Sequence, residues 1–307
     1  MKVLVATEKP FAKVATDGIR KIVEAAGCEL VLLEKYTALE EFYAAVASAD
    51  ALIVRSDKVT QAVVDAAKNL KIVVRAGAGF DNLDLNALSA RGIVAMNTPG
   101  QNSNAVAELA IGMMIFMARA QFGGAGTEIA GKTLGIHAYG NVGRLVGLAG
   151  KALGMKVIAF DPFVADKAIF ANDHVEEVAS VEELYAKSEY LSLHIPATAQ
   201  TKGSIGYALA MSMPKGATIV NTARKEVIDE VGLIKAMEER ADLKYATDIA
   251  PEAAAEFAEK FGKRYFGTPK KMGAETAEAN INAGLAAANQ IMLFLKEGIT
   301  KFQVNKF

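Results

Sequence analysis

The turn AYGNVGR (138–144) follows a short strand-like run, with Gly140 and Gly143 three apart and Ala138 in the place of a first glycine. Small residues at that spacing, between a strand and a helix, let backbone amides approach a pyrophosphate whose charge the helix N-terminus favours. The next strand, KVIAF (156–160), ends at Asp161, eighteen residues beyond Gly143. A carboxylate there can accept hydrogen bonds from the ribose hydroxyls of adenosine. Pro162 and Phe163 follow, with no arginine to receive a 2′-phosphate, so the pattern favours NAD over NADP. A-x-G-x-x-G alone also describes a plain tight turn. Strand, turn, helix, strand and acid in that order make it a dinucleotide site.

The elements that must position this turn alternate along the whole chain. Strands read KVLVA (2–6), ELVLL (29–33), ALIV (51–54), KIVV (71–74) and GIVAM (92–96), with helix-length segments such as 12–26 and 60–68 between them. A helix from near Asn104 to Arg119 is apolar nearly all round and should be buried, in part against another subunit. A second series then runs KTLGIHA (132–138), KVIAF, YLSLH (190–194), ATIVN (217–221) and LKYATD (243–248). A last helix over about 275–297 precedes a short strand near Phe302–Val304. Such βαβ alternation predicts α/β architecture with parallel sheets covered on both faces.

The bulk numbers agree. A chain of 307 residues points to two domains. With 52% hydrophobic and 22% charged residues and a net charge of −1, it reads as a soluble protein with no bias toward nucleic acid or membrane. The opening MKVLVATEKPFAK reads as a first strand, not a signal peptide. One cysteine, Cys28, leaves no internal disulfide and no multi-cysteine metal cluster, consistent with a reducing, cytoplasmic setting and no metal.

These residues assembled, the chain resembles the D-isomer-specific 2-hydroxyacid dehydrogenases over nearly its whole length, and most of all their phosphoglycerate-oxidising branch. The resemblance is carried by RAGAGFDNLDLNAL (75–88), RGIVAMNTPGQNSNAVAEL (91–109), AYGNVGR with FDPF, SLHIPAT (192–198) and NTARKEVIDE (221–230). It implies two doubly wound parallel-sheet domains, a Rossmann NAD domain (103–272) inserted into a flavodoxin-like substrate domain (1–102 and 273–307). Ending at 307, the chain would be a short form lacking the regulatory C-terminal domain that many such enzymes carry. The implied chemistry is hydride transfer between C2 of a hydroxy acid and nicotinamide, the oxidation that opens serine biosynthesis.

The resemblance also assigns residues. Arg224 is implied to pair with the substrate carboxylate, and a planar guanidinium suits that bidentate task. Arg55 and Ser56 are implied to bind the substrate phosphate, with Asn102 and Asn280 as further hydrogen-bonding positions. Ala76 and Gly77 are implied to offer amides to the carboxylate. Cofactor contacts are carried over to Tyr139, Gly140, Asn141 and Val142 of the turn and to Asp161 and Pro162. His194 and Pro196 are carried to the adenine or ribose, and Thr201, Thr222, Ala223, Asp248 and Gly273 to the rest.

Two departures from the family stand out. A glycine expected after Arg224 is Lys225, which adds strain if that backbone needs a positive φ. More consequentially, the family's proton carrier is a histidine late in the chain, and no histidine follows His194. The matching segment reads TPKKMGAETAEAN (268–280), one residue longer than the family pattern. Anchoring on Gly273-Ala274 puts Lys271 at the histidine position, and anchoring on Thr268-Pro269 chooses Lys270; the first is preferred. A lysine, with a free pKa of ~10.4 against ~6.5 for histidine, needs no carboxylate to stay charged. That matches the eroded glutamate region DIAPEAAAEF (248–257), where Glu252 is the nearest candidate.

Three functions remain open at this point. They are oxidation of 3-phosphoglycerate, oxidation of another small hydroxy acid (glycerate/hydroxypyruvate or erythronate 4-phosphate), and non-catalytic NAD sensing. The partners expected are a phosphorylated hydroxy acid and a second copy of the chain, as a homodimer.

Overall fold

The computed structural model describes residues 1–307, which divide into two compact units, Met1–Asn102 with Thr276–Phe307, and Ser103–Glu275. Residues 273–275 fall with the second unit, three beyond the expected junction, because the Gly273 amide is bonded to Asp248 of that unit.

The first unit runs β1 (Lys2–Thr7), α1 (Lys13–Ala25), β2 (Glu29–Glu34), α2 (Leu39–Val46), β3 (Ala51–Val54), α3 (Gln61–Ala66), β4 (Ile72–Arg75), α4 (Leu85–Ala90) and β5 (Val94–Asn97). Its sheet has the order β2-β1-β3-β4-β5, all parallel, the flavodoxin-like winding. Strands β3 and β5 are buried at every position, as β-branched runs covered on both faces must be.

The second unit runs α5 (Ser103–Ala118), β6 (Thr133–His137), α6 (Asn141–Ala152), β7 (Lys156–Phe160), α7 (Ala168–Asn172), β8 (Glu176–Glu177), α8 (Val181–Lys187), β9 (Tyr190–Leu193), α9 (Tyr207–Ser212), β10 (Thr218–Asn221), α10 (Glu230–Glu239), β11 (Lys244–Thr247), α11 (Ala254–Phe261) and β12 (Tyr265–Gly267). Its parallel sheet has the order β12-β11-β10-β9-β6-β7-β8. The strand order reverses between β6 and β9, the switch point where open α/β sheets take ligands. The last helix, α12 (Ala277–Glu297), packs on α1 and belongs to the first unit.

Two differences from the sequence reading are informative. The expected strand at Phe302–Val304 is only an isolated antiparallel bridge, Met96 to Gln303, fastened by the Val304 amide on the Ala95 carbonyl and by the Asn305 side chain. Edge strands β8 and β12, two and three residues long, were too short for periodicity to reveal.

Candidate active site

The glycine-rich turn leaves β6 at His137. Ala138 takes φ +78°, the left-handed conformation that a glycine would adopt freely. An alanine there costs about 1–2 kcal/mol. Gly143 is obligatory for a different reason, since a Cβ on it would stand 2.1 Å from the Ala138 carbonyl oxygen. Gly140 caps α6 without any side-chain hydrogen bond, and no atom lies within 4 Å of where its Cβ would be. Exposed Gly140 and Asn141 and half-buried Val142 thus open the helix end toward free space. Tyr139 behaves differently: its ring is buried against Phe170, and its hydroxyl donates to Asp173 at 3.0 Å. Only its backbone borders the turn.

Asp161 is buried at the end of β7, with Oδ2 accepting the Tyr139 amide at 2.8 Å and Oδ1 the Phe163 amide at 2.9 Å. Each oxygen keeps a second lone pair. Beside it lies a cleft of about 680 Å³ whose lining includes His137, Pro162, Phe163, Ile195, Pro196 and Thr201. Phe163 is 91% exposed there. The Thr201 hydroxyl is spent within its own loop, donating to the Pro196 carbonyl at 2.5 Å. His137 reaches this cleft, while the half-buried His194 side chain meets Ser192 at 2.9 Å. Sequence reasoning missed His137, and its place as the last residue of the strand that enters the turn was the signal that could have found it. Burial lowers the pKa of His137 to about 4, against a smaller upward pull from Asp161, and lowers that of His194 to about 3, helped by His137.

At the end of β10, Asn221 braces the next turn by accepting the Ala223 amide and donating to the Arg224 carbonyl. Arg224 is extended and exposed. Lys225 opens a right-handed 3-10 turn, so the strain feared for a lysine in place of glycine does not arise. Its ammonium pairs instead with Glu252 at 3.3 Å, and that carboxylate is 83% exposed. Glu252 therefore sits on a surface ion pair. Thr222 has a buried hydroxyl without any hydrogen-bond partner.

Asp248 is 1% exposed. Its Oδ1 accepts the Met272 amide at 2.7 Å and the Thr268 hydroxyl at 3.1 Å, and Oδ2 accepts the Gly273 amide at 2.8 Å. A Cβ on Gly273 would stand 2.8 Å from that Oδ2. These two residues, expected to touch cofactor, are enclosed and clamp the loop that carries exposed Lys270 and Lys271.

In the first unit, Arg55 leaves β3 half-buried over the Phe11 ring and donates to the Lys9 and Pro10 carbonyls at 3.0 and 3.1 Å and to Asn280 Oδ1. Asn280 in turn donates one N–H of its side-chain amide to the Thr276 carbonyl, so it orients the arginine and keeps a second N–H. Ser56 is exposed, and Asn102 is half-buried just ahead of α5. The amides of Ala76 and Gly77 donate to the Val54 and Arg75 carbonyls at 2.9 Å each, the second a local turn contact within the segment. Arg75 was missed by sequence reasoning although it opens RAGAG. Its Nε donates to the Arg55 carbonyl at 3.0 Å, and Nη1 occupies the space a Gly77 Cβ would take, while the Gly77 φ of +151° is one that side chains rarely adopt. Burial lowers the Arg75 pKa, Asp81 opposes this, and neighbouring Arg55 adds to it. The result is a corner with two guanidiniums.

The residues of the second unit fit NAD: an uncapped helix start, open space at Gly140, the cleft beside Asp161 and an orphaned hydroxyl at Thr222. No group of three or more His, Cys, Asp or Glu could hold a metal ion, and no helix is long and apolar enough to cross a membrane.

Residues 103–265 match the model of the D-isomer specific 2-hydroxyacid dehydrogenase, NAD binding domain. The chain is similar to the structure of a cofactor (NAD+) bound 3-phosphoglycerate dehydrogenase from Entamoeba histolytica, at 51% identity and TM-score 0.87, covering 100% of this chain and 99% of that one. It is 36% identical over 284 residues to a D-3-phosphoglycerate dehydrogenase of Methanocaldococcus jannaschii, across 87% of this chain and 53% of the relative. It is 37% identical over 220 residues to a hydroxypyruvate reductase of Thermotoga maritima, across 67% of this chain and 70% of that one. The chain thus spans about half the length of the first curated relatives it matches. It belongs to the D-isomer-specific 2-hydroxyacid dehydrogenase family.

Proposed function

We propose that this family member oxidises 3-phosphoglycerate to 3-phosphohydroxypyruvate, with NAD as cofactor and Lys271 as proton carrier. The observation that carries the substrate is the pair of half-buried arginines, Arg55 and Arg75, at the ends of paired strands β3 and β4. Two held guanidiniums suit a phosphate dianion, and a plain hydroxy acid has no second anionic group for them. Ser56 adds a hydroxyl from the same strand exit.

Arg224, exposed on a braced turn, takes the substrate carboxylate. Bound NAD supplies the acceptor for the hydride that leaves C2. Neutral Lys271 takes the C2 hydroxyl proton as the C–H bond breaks, so that C2 ends as a carbonyl and the lysine as an ammonium. In reduction the ammonium returns that proton to the C2 oxygen. Asp248 keeps the lysine loop closed, and Asp161 accepts the ribose hydroxyls.

The relative named hydroxypyruvate reductase supports a second reading, in which the unphosphorylated glycerate/hydroxypyruvate pair is the substrate. NADH formation with 3-phosphoglycerate and with D-glycerate, measured in parallel, separates the two. A kcat/KM for 3-phosphoglycerate at least tenfold higher supports the phosphate reading, and preference for glycerate overturns it. A homodimer is in keeping with the half-exposed Leu109, Ile111 and Phe116 on α5 and exposed Phe122 after it. One buried cysteine suits a cytoplasmic setting.

A further inference from the structure

The dinucleotide turn of this chain carries a defect and, beneath it, a brace. The defect is Ala138 at φ +78°. Left to itself, an alanine in that position drifts back to negative φ, and the amides that follow it turn away from a bound phosphate. Three attachments oppose the drift. The Ala138 amide donates to the Phe160 carbonyl at 2.9 Å, the Tyr139 amide donates to Asp161, and the Tyr139 side chain descends behind the turn as a buried peg. The first two belong to the end of the β6–β7 pairing and to the ribose acid. The third is held by a residue with no place in the cofactor site.

That residue is Asp173, just past the C-terminal end of α7 and itself buried. Its Oδ2 accepts the Tyr139 hydroxyl at 3.0 Å and the Arg144 Nε at 2.7 Å, and its Oδ1 accepts the Arg144 Nη2 at 3.0 Å. Its backbone carbonyl accepts Lys151 at 2.5 Å. Arg144 stands in the first turn of α6 and Lys151 in the last, so one aspartate ties the peg to both ends of the helix that begins at the phosphate turn. Gly147 makes room for the peg: a Cβ there would lie 3.1 Å from the Tyr139 ring. The Arg144–carboxylate fork is charge-assisted and bidentate, which fixes direction as well as distance.

We infer that Asp173 is a positioning residue for the dinucleotide, acting through Tyr139 and Arg144 to hold the alanine-containing turn in the shape that binds pyrophosphate. It touches no phosphate itself. The inference rests on the reading of the second unit as an NAD site. It also explains how a chain without the first glycine keeps that site: the strain of one residue is offset by a network behind it.

The test uses the full-length protein and NADH binding, followed by NADH fluorescence at a temperature where every variant is folded. Asp173→Asn keeps the size of the side chain and removes the charge that anchors the fork. It should weaken NADH roughly tenfold, raise the KM for NAD alike, and leave kcat at saturating NAD within about twofold. Tyr139→Phe should weaken NADH a few-fold, and the double variant should be no worse than Asp173→Asn alone, because both act through one contact. Ala138→Gly added to Asp173→Asn should restore affinity to within about threefold of the parent, since glycine does not need to be held at positive φ. A merely structural role would lower the melting temperature and leave the affinity of the folded protein unmoved. The inference is overturned if Asp173→Asn binds NADH within twofold of the parent, if it binds more tightly because Arg144 is released toward the phosphates, or if Ala138→Gly fails to rescue. Should the unmodified protein not bind NADH, the cofactor reading falls first and this inference with it.

Discussion

Replacing Asp248 by asparagine tests whether this carboxylate serves the lysine loop or the cofactor. Two backbone amides and a hydroxyl converge on it, and with 1% exposure no water can take their place. Hydrogen bonds to a charged acceptor contribute about 1.5–3 kcal/mol each, and a buried donor left unmade costs about 1–3 kcal/mol. Asparagine offers a single carbonyl oxygen, so its NH2 must face either the Met272 or the Gly273 amide, donor against donor. About 2–3 kcal/mol taken from the closed loop corresponds to a roughly 30–150-fold smaller ratio of closed to open loop, and to a like loss of Lys271 in place once the open loop predominates. The expected result is a loss of kcat of that size, with NADH affinity changed less than threefold and faster amide exchange at Met272 and Gly273. If NADH affinity falls while kcat at saturating NAD is retained, Asp248 contacts the cofactor as the family resemblance implied, and the clamp reasoning is refuted. An unchanged kcat refutes it as well.

Further expectations concern the phosphate corner, the ribose acid and the histidines. Arg55→Ala should raise the KM for 3-phosphoglycerate roughly 30–150-fold with NADH affinity barely moved, and a change under threefold would remove Arg55 from substrate binding. Asp161→Ala should weaken NAD and narrow its advantage over NADP, because the carboxylate both accepts ribose hydroxyls and repels a 2′-phosphate; an unchanged preference counts against it. Burial lowers the pKa of His137 to about 4 and of His194 to about 3, so the unfolded chain binds these two protons first as pH falls. Stability should therefore be full above about pH 6.5 and decline below it, by roughly 1.4 kcal/mol per pH unit for each histidine, until the folded-state values are reached. Denaturant melts between pH 7 and about pH 4.5 check this, and His194→Gln should make the decline shallower.

Much of this was legible in the chain. Alternating β-branched runs and helical segments expose a parallel sheet directly, since strands such as β3 and β10 are buried at every position. Gly140, Gly143 and Asp161 stood out because close approach to a pyrophosphate and hydrogen bonding to a ribose each call for a residue type at a fixed spacing. What spacing does not encode is which partner a polar group selects once folded. Ala76 and Gly77 donate their amides to neighbouring carbonyls, Asn280 serves Arg55, and Asp248 holds a loop. Each choice depends on tertiary neighbours twenty or more residues away or on a local turn, neither of which leaves a sequence pattern. Arg75 escaped notice because an arginine at a strand end is ordinary until the half-buried guanidinium of Arg55 is found beside it. Lys225 shows the reverse case, where a feared strain is absent because the turn is right-handed.

The central claim, that a lysine carries the proton in an NAD-dependent oxidation of 3-phosphoglycerate, is tested most directly by comparing kcat for Lys271→Met and Lys270→Met across pH. Methionine keeps much of the side-chain volume and cannot carry a proton. The account predicts that Lys271→Met loses roughly 10²–10⁴ in kcat while still binding NADH, and that Lys270→Met loses far less. In the unmodified enzyme, oxidation should climb with pH into the alkaline range, since the amine must be neutral to accept the proton. If Lys270→Met is the inactive variant, the assignment is off by one residue. If neither substitution slows turnover, another group or a bound water transfers the proton, and the lysine mechanism is contradicted.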